Sequence, residues 1–332
     1  MPPTEPKRVA YLFGAGATHA ELTNLYPDLT EEELKESGLL INYVSARVIE
    51  KARRNPEYLK GVEMVSATSG SLNIELLISL LESSKIHKWA KKTSYLKELV
   101  QKDIEAVLTR PRTRRFYLHR ALFELHGHPI TRLQEKLTGL ISLNYDDVLD
   151  EAYRKHDGPP NYCFSMESGV SRLEPIPLLK LHGSFNWRNQ KIRGRTRTIE
   201  IIPLGVSKNY LHAPYNFIWN RALEILIECD TLRVIGCSLS PNDVHLIDLL
   251  FKAHLERPDP FDIEIISHED TGQQIRNNYG FLPGIKPLLE IEGTLIRDRA
   301  PDNPFKAWLK YKSLATIKDR TKRTQFLKMV IR

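Results

Sequence analysis

The sequence predicts an α/β protein, a doubly wound, Rossmann-like parallel sheet with a helical insertion, and three observations carry that reading. Short apolar runs bounded by turn residues recur along the chain, helical stretches separate several of them, and the first run ends in Gly14-Ala15-Gly16-Ala17-Thr18. Strands that alternate with helices form parallel sheets with right-handed crossovers.

The first run, Arg8 to Phe13, is rich in β-formers and aromatics, with proline before it and glycine after it, as a buried strand requires. A helix is expected from Thr18. Thr30-Glu31-Glu32-Glu33 has capping-box spacing, in which the threonine hydroxyl and the Glu33 carboxylate satisfy each other's exposed backbone donors. Leu40, Val44 and Val48 recur at helical spacing, and "NIELLISLLES" from Asn73 and "TSYLKELVQKDIEAVL" from Thr93 continue the pattern. Residues 24–138 therefore read as an α-rich insertion the length of a small domain.

Strand signals return at Gly139 to Asp147, Ile176 to Trp187, Arg197 to Gly205, Thr231 to Asp243 and Phe261 to Ser267. "NFIWNRALEILIEC" and "DVHLIDLLFKAHLE" supply helices between them, and "IRGRTRT" from Ile192 reads as a mobile basic loop. Residues 1–23 and 139–300 make up the sheet core, and 301–332 form a basic helical segment. That last segment mixes Phe305, Trp308, Leu309 and Leu314 with lysine and arginine, the pattern of a packed helix with a solvated basic face.

Composition narrows the function classes. The chain has 332 residues, 41% hydrophobic and 27% charged, which suits a globular core and not a disordered chain. No stretch approaches the roughly 20 apolar residues of a membrane span, and "MPPTEPKR" lacks a secretory apolar core, so a cytoplasmic protein is expected. Cys163, Cys229 and Cys237 are far apart, which predicts reduced thiols and no structural zinc. A net charge of +7 is modest for this length, and direct nucleic-acid binding is not the expected use of it.

A glycine pair between strand and helix lets backbone approach a pyrophosphate, whose charge the helix N-terminus favours. Here Gly14 and Gly16 are followed by His19 where a dinucleotide fingerprint places its third small residue. Other strand ends carry compact polar groups: Asn144 and Asp146, His182 and Ser184, then Ser238, Ser240 and Asp243. Ligands of open parallel sheets bind at such carboxyl ends. Each residue also has a plainer reading as a turn former or cap, Asp243 most obviously as a helix cap.

Taken in order, GAGAT, "SLNYD" (Ser142 to Asp146), "KLHGS" (Lys180 to Ser184) and "IGCSLSPND" (Ile235 to Asp243) resemble the motif series of the sirtuin family. The likeness is closest to the bacterial sirtuin-like NADases of antiphage defence. It implies NAD as substrate, with Gly14, Ala15, Gly16, Ala17 and Thr18 at the pyrophosphate and Asn144 and Asp146 near the nicotinamide ribose. It further implies His182 as the base, and Ser184, Gly236, Ser238 and Asp243 as binding residues. Asn144 and His182 are the catalytic candidates.

The departures favour water as acceptor over an acyl-lysine peptide. No cysteine lies between Cys163 and Cys229, where the deacylases carry a four-cysteine zinc module, and Pro203 interrupts the segment that would pair with a peptide strand. The expected activity is NAD hydrolysis to nicotinamide and ADP-ribose, depleting NAD in defence. The alternatives are an NAD- or ADP-ribose-binding regulatory subunit and, more weakly, a deacylase. Restraint of such an enzyme implies a homo-oligomer or a regulatory partner, of which a HerA-type ATPase is one kind.

Several residues read as structural. His126 of "ELHGHPI" lies at a helix end, His19 suits a surface or capping role, and Glu75 is structural or interface-forming. Cys237 is expected to be buried, and Met166, Trp187 and Trp219 to be core or pocket wall.

Overall fold

The computed structural model describes residues 5–69, 73–83, 87–108, 117–127, 133–165, 175–187, 190–192, 195–197, 201–202, 210–240, 243–259, 262–280, 282, 285–287 and 303–330. Strand β1 (Lys7–Phe13) leads into α1 (Ala15–Leu25), α2 (Glu31–Ser37), α3 (Ile41–Arg53), α4 (Pro56–Ser69), α5 (Ile74–Ser83), α6 (His87–Leu108) and α7 (Tyr117–Gly127). There follow β2 (Glu135–Ser142), α8 (Val148–Asp157), β3 (Leu178–Lys180), β4 (Gln190–Ile192), β5 (Arg195–Arg197) and α9 (Tyr215–Glu228). The remainder is β6 (Thr231–Ile235), α10 (Val244–Leu255), β7 (Asp262–Ile266), α11 (Glu269–Asn278), β8 (Ile285–Pro287), α12 (Pro304–Thr316) and α13 (Arg320–Val330).

Six strands form one parallel sheet in the order β3-β2-β1-β6-β7-β8. Numbered among themselves they run 3-2-1-4-5-6, the doubly wound order, and the direction of winding reverses between β1 and β6. As the central strand, β1 is buried on both faces, which is why its sequence is continuously apolar and not alternating. Ala10 and Leu12 face a core layer built with α9 and α10, whereas Val9, Tyr11 and Phe13 face one built with α1, α7, α8 and α12.

The helical stretch has an apolar cluster of its own, in which Val44, Val48 and Ile49 of α3 meet Leu77 and Ile78 of α5 and Leu96 and Val100 of α6. Helix α2 begins with the expected capping box: Thr30 N–H donates to Glu33 Oε2 at 2.8 Å, and Glu33 N–H to Thr30 Oγ1 at 3.3 Å. Helix α7 packs instead on the sheet, through Leu118, Leu122 and Leu125. Asn303 caps α12 and also donates to Ala20 O at 2.7 Å, so it ties α12 to α1.

Three local expectations differ from the structure. Helix α1 starts at Ala15, not Thr18, because Gly14 is its extended N-cap. In the basic stretch from Ile192, Ile192 and Arg195–Arg197 belong to the antiparallel β4–β5 pair, while 193, 194 and 198 fall outside the described residues. Of the strand expected over 197–205, Arg197 lies in β5 and Ile201 and Ile202 lie outside strands, while 198–200 and 203–205 fall outside the described residues. Met166 also falls outside them.

A buried charged cluster fastens the sheet to α12. Arg233 of β6 donates to Glu135 at 2.6 and 2.7 Å and to Glu264 at 2.6 Å, and its guanidinium lies 5.4 Å from the Trp308 ring. Tyr11 Oη is 2.7 Å from His126 Nε2 and accepts from Arg233 at 2.9 Å. Burial holds His126 down at about 4, from an ordinary 6.5. Burial opposes ionisation of Glu135, yet its bonds to Arg233 and the charges of Arg233 and Lys312 hold it at about 2, from 4.5.

Both groups bind protons more readily unfolded than folded, so stability rises with pH. The contribution of His126, on the order of 3 kcal/mol, is present above pH 6.5 and lost towards 4; that of Glu135 is lost from 4.5 towards 2. The melting temperature should fall between pH 7 and 4, and His126→Gln should flatten that slope. An unchanged slope in the variant would contradict the assignment.

Candidate active site

At the switch between β1 and β6, two strand ends meet backbone to backbone. Gly14 N–H donates to Ile235 O at 3.0 Å and Gly16 N–H to Gly236 O at 2.8 Å. A Cβ at Gly14 would fall 2.6 Å from Cys237 Cα, and one at Gly16 2.7 Å from Gly236 O. Gly236 has φ of +58°, and a Cβ there would strike the Ala17 amide. The glycines of GAGAT thus seat the turn against β6. Two amides of the first helical turn are used internally, Gly16 on Gly236 and Ala17 on Gly14 O.

The loop after β2 is bound to this turn. Asn144 Nδ2 donates to Gly14 O at 2.9 Å and to Thr18 Oγ1 at 3.0 Å, and Thr18 Oγ1 donates to Asp146 Oδ2 at 3.0 Å. With both amide hydrogens so engaged, Asn144 presents its carbonyl Oδ1 as the group for a ligand. Asp146 Oδ1 accepts Val148 N–H at 3.0 Å at the start of α8. Burial raises the Asp146 pKa despite the nearby Lys180 charge.

Beneath the loop lies a group that the sequence reading did not single out. Lys180, 1% exposed, donates to Asp146 O and pairs with Asp150 Oδ2 at 3.0 Å. Asp150 Oδ1 also accepts from Tyr162 and, at 3.3 Å, from Asn186 Nδ2. The available signal was a lone lysine between leucines at the end of an apolar run.

His182 leaves β3 through Gly183, whose φ is +86°, and its imidazole is fully buried. Tyr145 and Trp219 flank it at centroid distances of 6.3 and 6.4 Å, and Asp243 Oδ2 lies 3.3 Å from Nε2. Asp243 is also the expected cap: its Oδ1 accepts Leu246 N–H at 3.3 Å at the start of α10. One carboxylate therefore anchors a helix and faces the histidine. A carboxylate so placed can orient an imidazole.

The other candidates divide. Ser184 Oγ donates to Tyr145 O at 3.1 Å and braces the loop, while Ser238 is exposed at the mouth of the β6 end. His126 lies in the Arg233 cluster, apart from this crevice. His19 is partly buried: its Nδ1 accepts Leu39 N–H at 3.4 Å, and burial lowers its pKa to about 4. Glu75 is buried in the first turn of α5, whose amides Asn73 caps. Burial pushes the Cys237 thiol up to about 12, the state of an unreactive cysteine. Trp187 and Trp219 are core residues. Among the described residues no group of three His, Cys, Asp or Glu side chains is placed to hold a metal, and no helix is long and apolar enough to cross a membrane.

Residues 138–280 match the family model for the SIR2-like domain. That segment is similar to the SIR2-like domain. That segment contains Asn144, Asp146, His182 and Asp243, while the glycine turn precedes it. Among solved structures, the chain is similar to a Sir2 homologue crystallised with NAD: 15% identity, 84% of this chain, 91% of the other and a TM-score of 0.37. A Sir2 homologue mutant with 2'-O-acetyl ADP ribose matches at 14% identity over 84% and 94% of the two chains, with a TM-score of 0.34. No curated protein matches the sequence significantly.

Gly183→Ala should show how tightly the histidine turn is packed, since the new Cβ would strike Tyr215 Oη from a left-handed backbone. We expect a loss of about 1–3 kcal/mol in urea unfolding, whereas a loss within error would mean that the turn relaxes freely.

Proposed function

We propose that the SIR2-like domain hydrolyses NAD at the nicotinamide–ribose bond, with water as the acceptor. The observation that carries this reading is that Asn144, bonded to the GAGAT turn, and the buried His182–Asp243 pair all follow the carboxyl ends of strands β2, β3 and β6 of one parallel sheet. The motif series that resembles the sirtuin family supports the choice of ligand. The residues present suit it: a helix N-terminus at the turn for the pyrophosphate, polar groups beside it for the ribose, and exposed Ser238 on the adenosine side.

The chemistry follows from those types. Nicotinamide leaves with the C–N bonding electrons, positive charge develops at the ribose carbon, and water adds to that carbon and releases a proton. NAD and water thus give nicotinamide, ADP-ribose and a proton. Asn144 Oδ1 accepts a hydrogen bond from the water or a ribose hydroxyl and so orients it. His182 takes the proton, and Asp243 stabilises the imidazolium that results. The Lys180–Asp150 pair holds the Asn144–Asp146 loop from below.

Full burial of His182 also fits a restrained enzyme, in which a homo-oligomer or a regulatory partner such as an ATPase opens the site. Depletion of NAD in antiphage defence is the role such restraint suits. The same burial favours, as a second reading, a subunit that binds NAD or ADP-ribose with little turnover.

Nicotinamide release from NAD should be lost by at least about 100-fold in His182→Ala and in Asn144→Ala. Asp243→Asn, which keeps a capping side chain on α10, should lower kcat more than it raises KM. Unchanged release in both alanine variants would remove the assignment, and release that depends on an acyl-lysine peptide would point to a deacylase. An NAD-induced rise in melting temperature without release would support the binding subunit.

A further inference from the structure

The positive charge of this chain is concentrated. Residues 303–330 contain eight lysines and arginines against one aspartate, a net +7 that equals the net charge of all 332 residues. They form the α12–α13 hairpin, whose inner side is fixed to the sheet layer by Phe305, Trp308, Leu309 and Phe326. Some exposed cations elsewhere are paired along their own helices, as in Lys102–Glu98 at 2.7 Å and Lys252–Asp248 at 2.6 Å. In the hairpin Lys312 reaches Glu135 at 3.6 Å, whereas Lys318, Arg320, Lys322, Arg323 and Lys328 make no ion pair with any described residue.

We propose that the outer face of this hairpin binds the phosphate backbone of nucleic acid. Thr321 and Gln325 lie exposed among the cations, and Arg320, Thr324 and Lys328 follow one another at helical spacing on one ridge of α13. Hydroxyl and amide donors beside lysine and arginine are the groups that contact phosphate oxygens. A protein interface or a lipid-seated helix needs aromatic or large apolar anchors on its outer face. Here Leu314 is the one exposed large hydrophobic residue among those described. The surface is also separate from the candidate active site: α12 meets α1 at Ala20 and Thr23, beyond the first turn that faces the strand ends. The proposal therefore stands independently of the NAD reading.

The test is fluorescence anisotropy with the full chain and labelled random-sequence 25-mers, one duplex DNA and one single-stranded. Binding at 50 mM salt should weaken roughly 40- to 500-fold by 200 mM, as expected for three to five phosphates neutralised. Arg320→Glu/Lys322→Glu/Arg323→Glu should weaken binding at least tenfold at 50 mM salt. These substitutions place carboxylates in the first turn of α13, where the helix dipole favours them, so an unchanged melting temperature is expected alongside. No binding of either DNA at 50 mM salt, or equal binding by the variant, would overturn the proposal. So would binding of polyglutamate or of phosphatidylserine vesicles without DNA binding.

Discussion

The contact on which this molecule depends is the approach of two backbones, the β1–α1 turn and the end of β6. Gly14 and Gly16 lie against Gly236 and Cys237 with no room for a side chain, and two interstrand hydrogen bonds close the junction. This is the point where the sheet's winding changes direction, so helices depart to opposite faces on either side of it and leave a crevice above. Every candidate side chain is referred to that junction. Asn144 is bonded to Gly14 O and Thr18, Asp146 to Thr18, and Asp243 follows Gly236 on the loop into α10.

Two kinds of polar burial support this arrangement in different ways. The Arg233 cluster lies mid-sheet and joins β1, β2, β6 and β7 to α12, so its charges act on stability. The Lys180–Asp150 pair lies under the strand ends and bonds to the backbone of the Asn144–Asp146 loop, so its charges act on position. Both are shielded from water, where removal of one partner costs about 3–5 kcal/mol. Of the two, the Lys180–Asp150 pair lies directly behind the loop whose geometry matters.

Much of this was legible in the sequence because the signals were local. The apolar run before Gly14, the capping box at Thr30 and the polar residues that end the apolar runs at Asn144, His182 and Ser238 each depend on a few neighbouring residues. What escaped depends on distant partners. Lys180 is explained only by Asp150, thirty residues away, and His19 only by Leu39. Strand β8 is three residues long, too short for any periodicity. The glycines of GAGAT were correctly placed at a strand–helix turn, but their close neighbour is β6 backbone, which no spacing rule within the motif reveals. Asp243 was read as either a cap or a site residue; it caps α10 and its other carboxylate oxygen faces His182.

The position of Cys237 has a further consequence. Its thiol is shielded and kept protonated, and its backbone lies against Gly14. A sulfhydryl reagent can reach it only when the two strand ends part, so the rate of its alkylation in the native protein measures how often the junction breathes. The molecule thereby carries an intrinsic clock for the opening of that junction, with no label to attach.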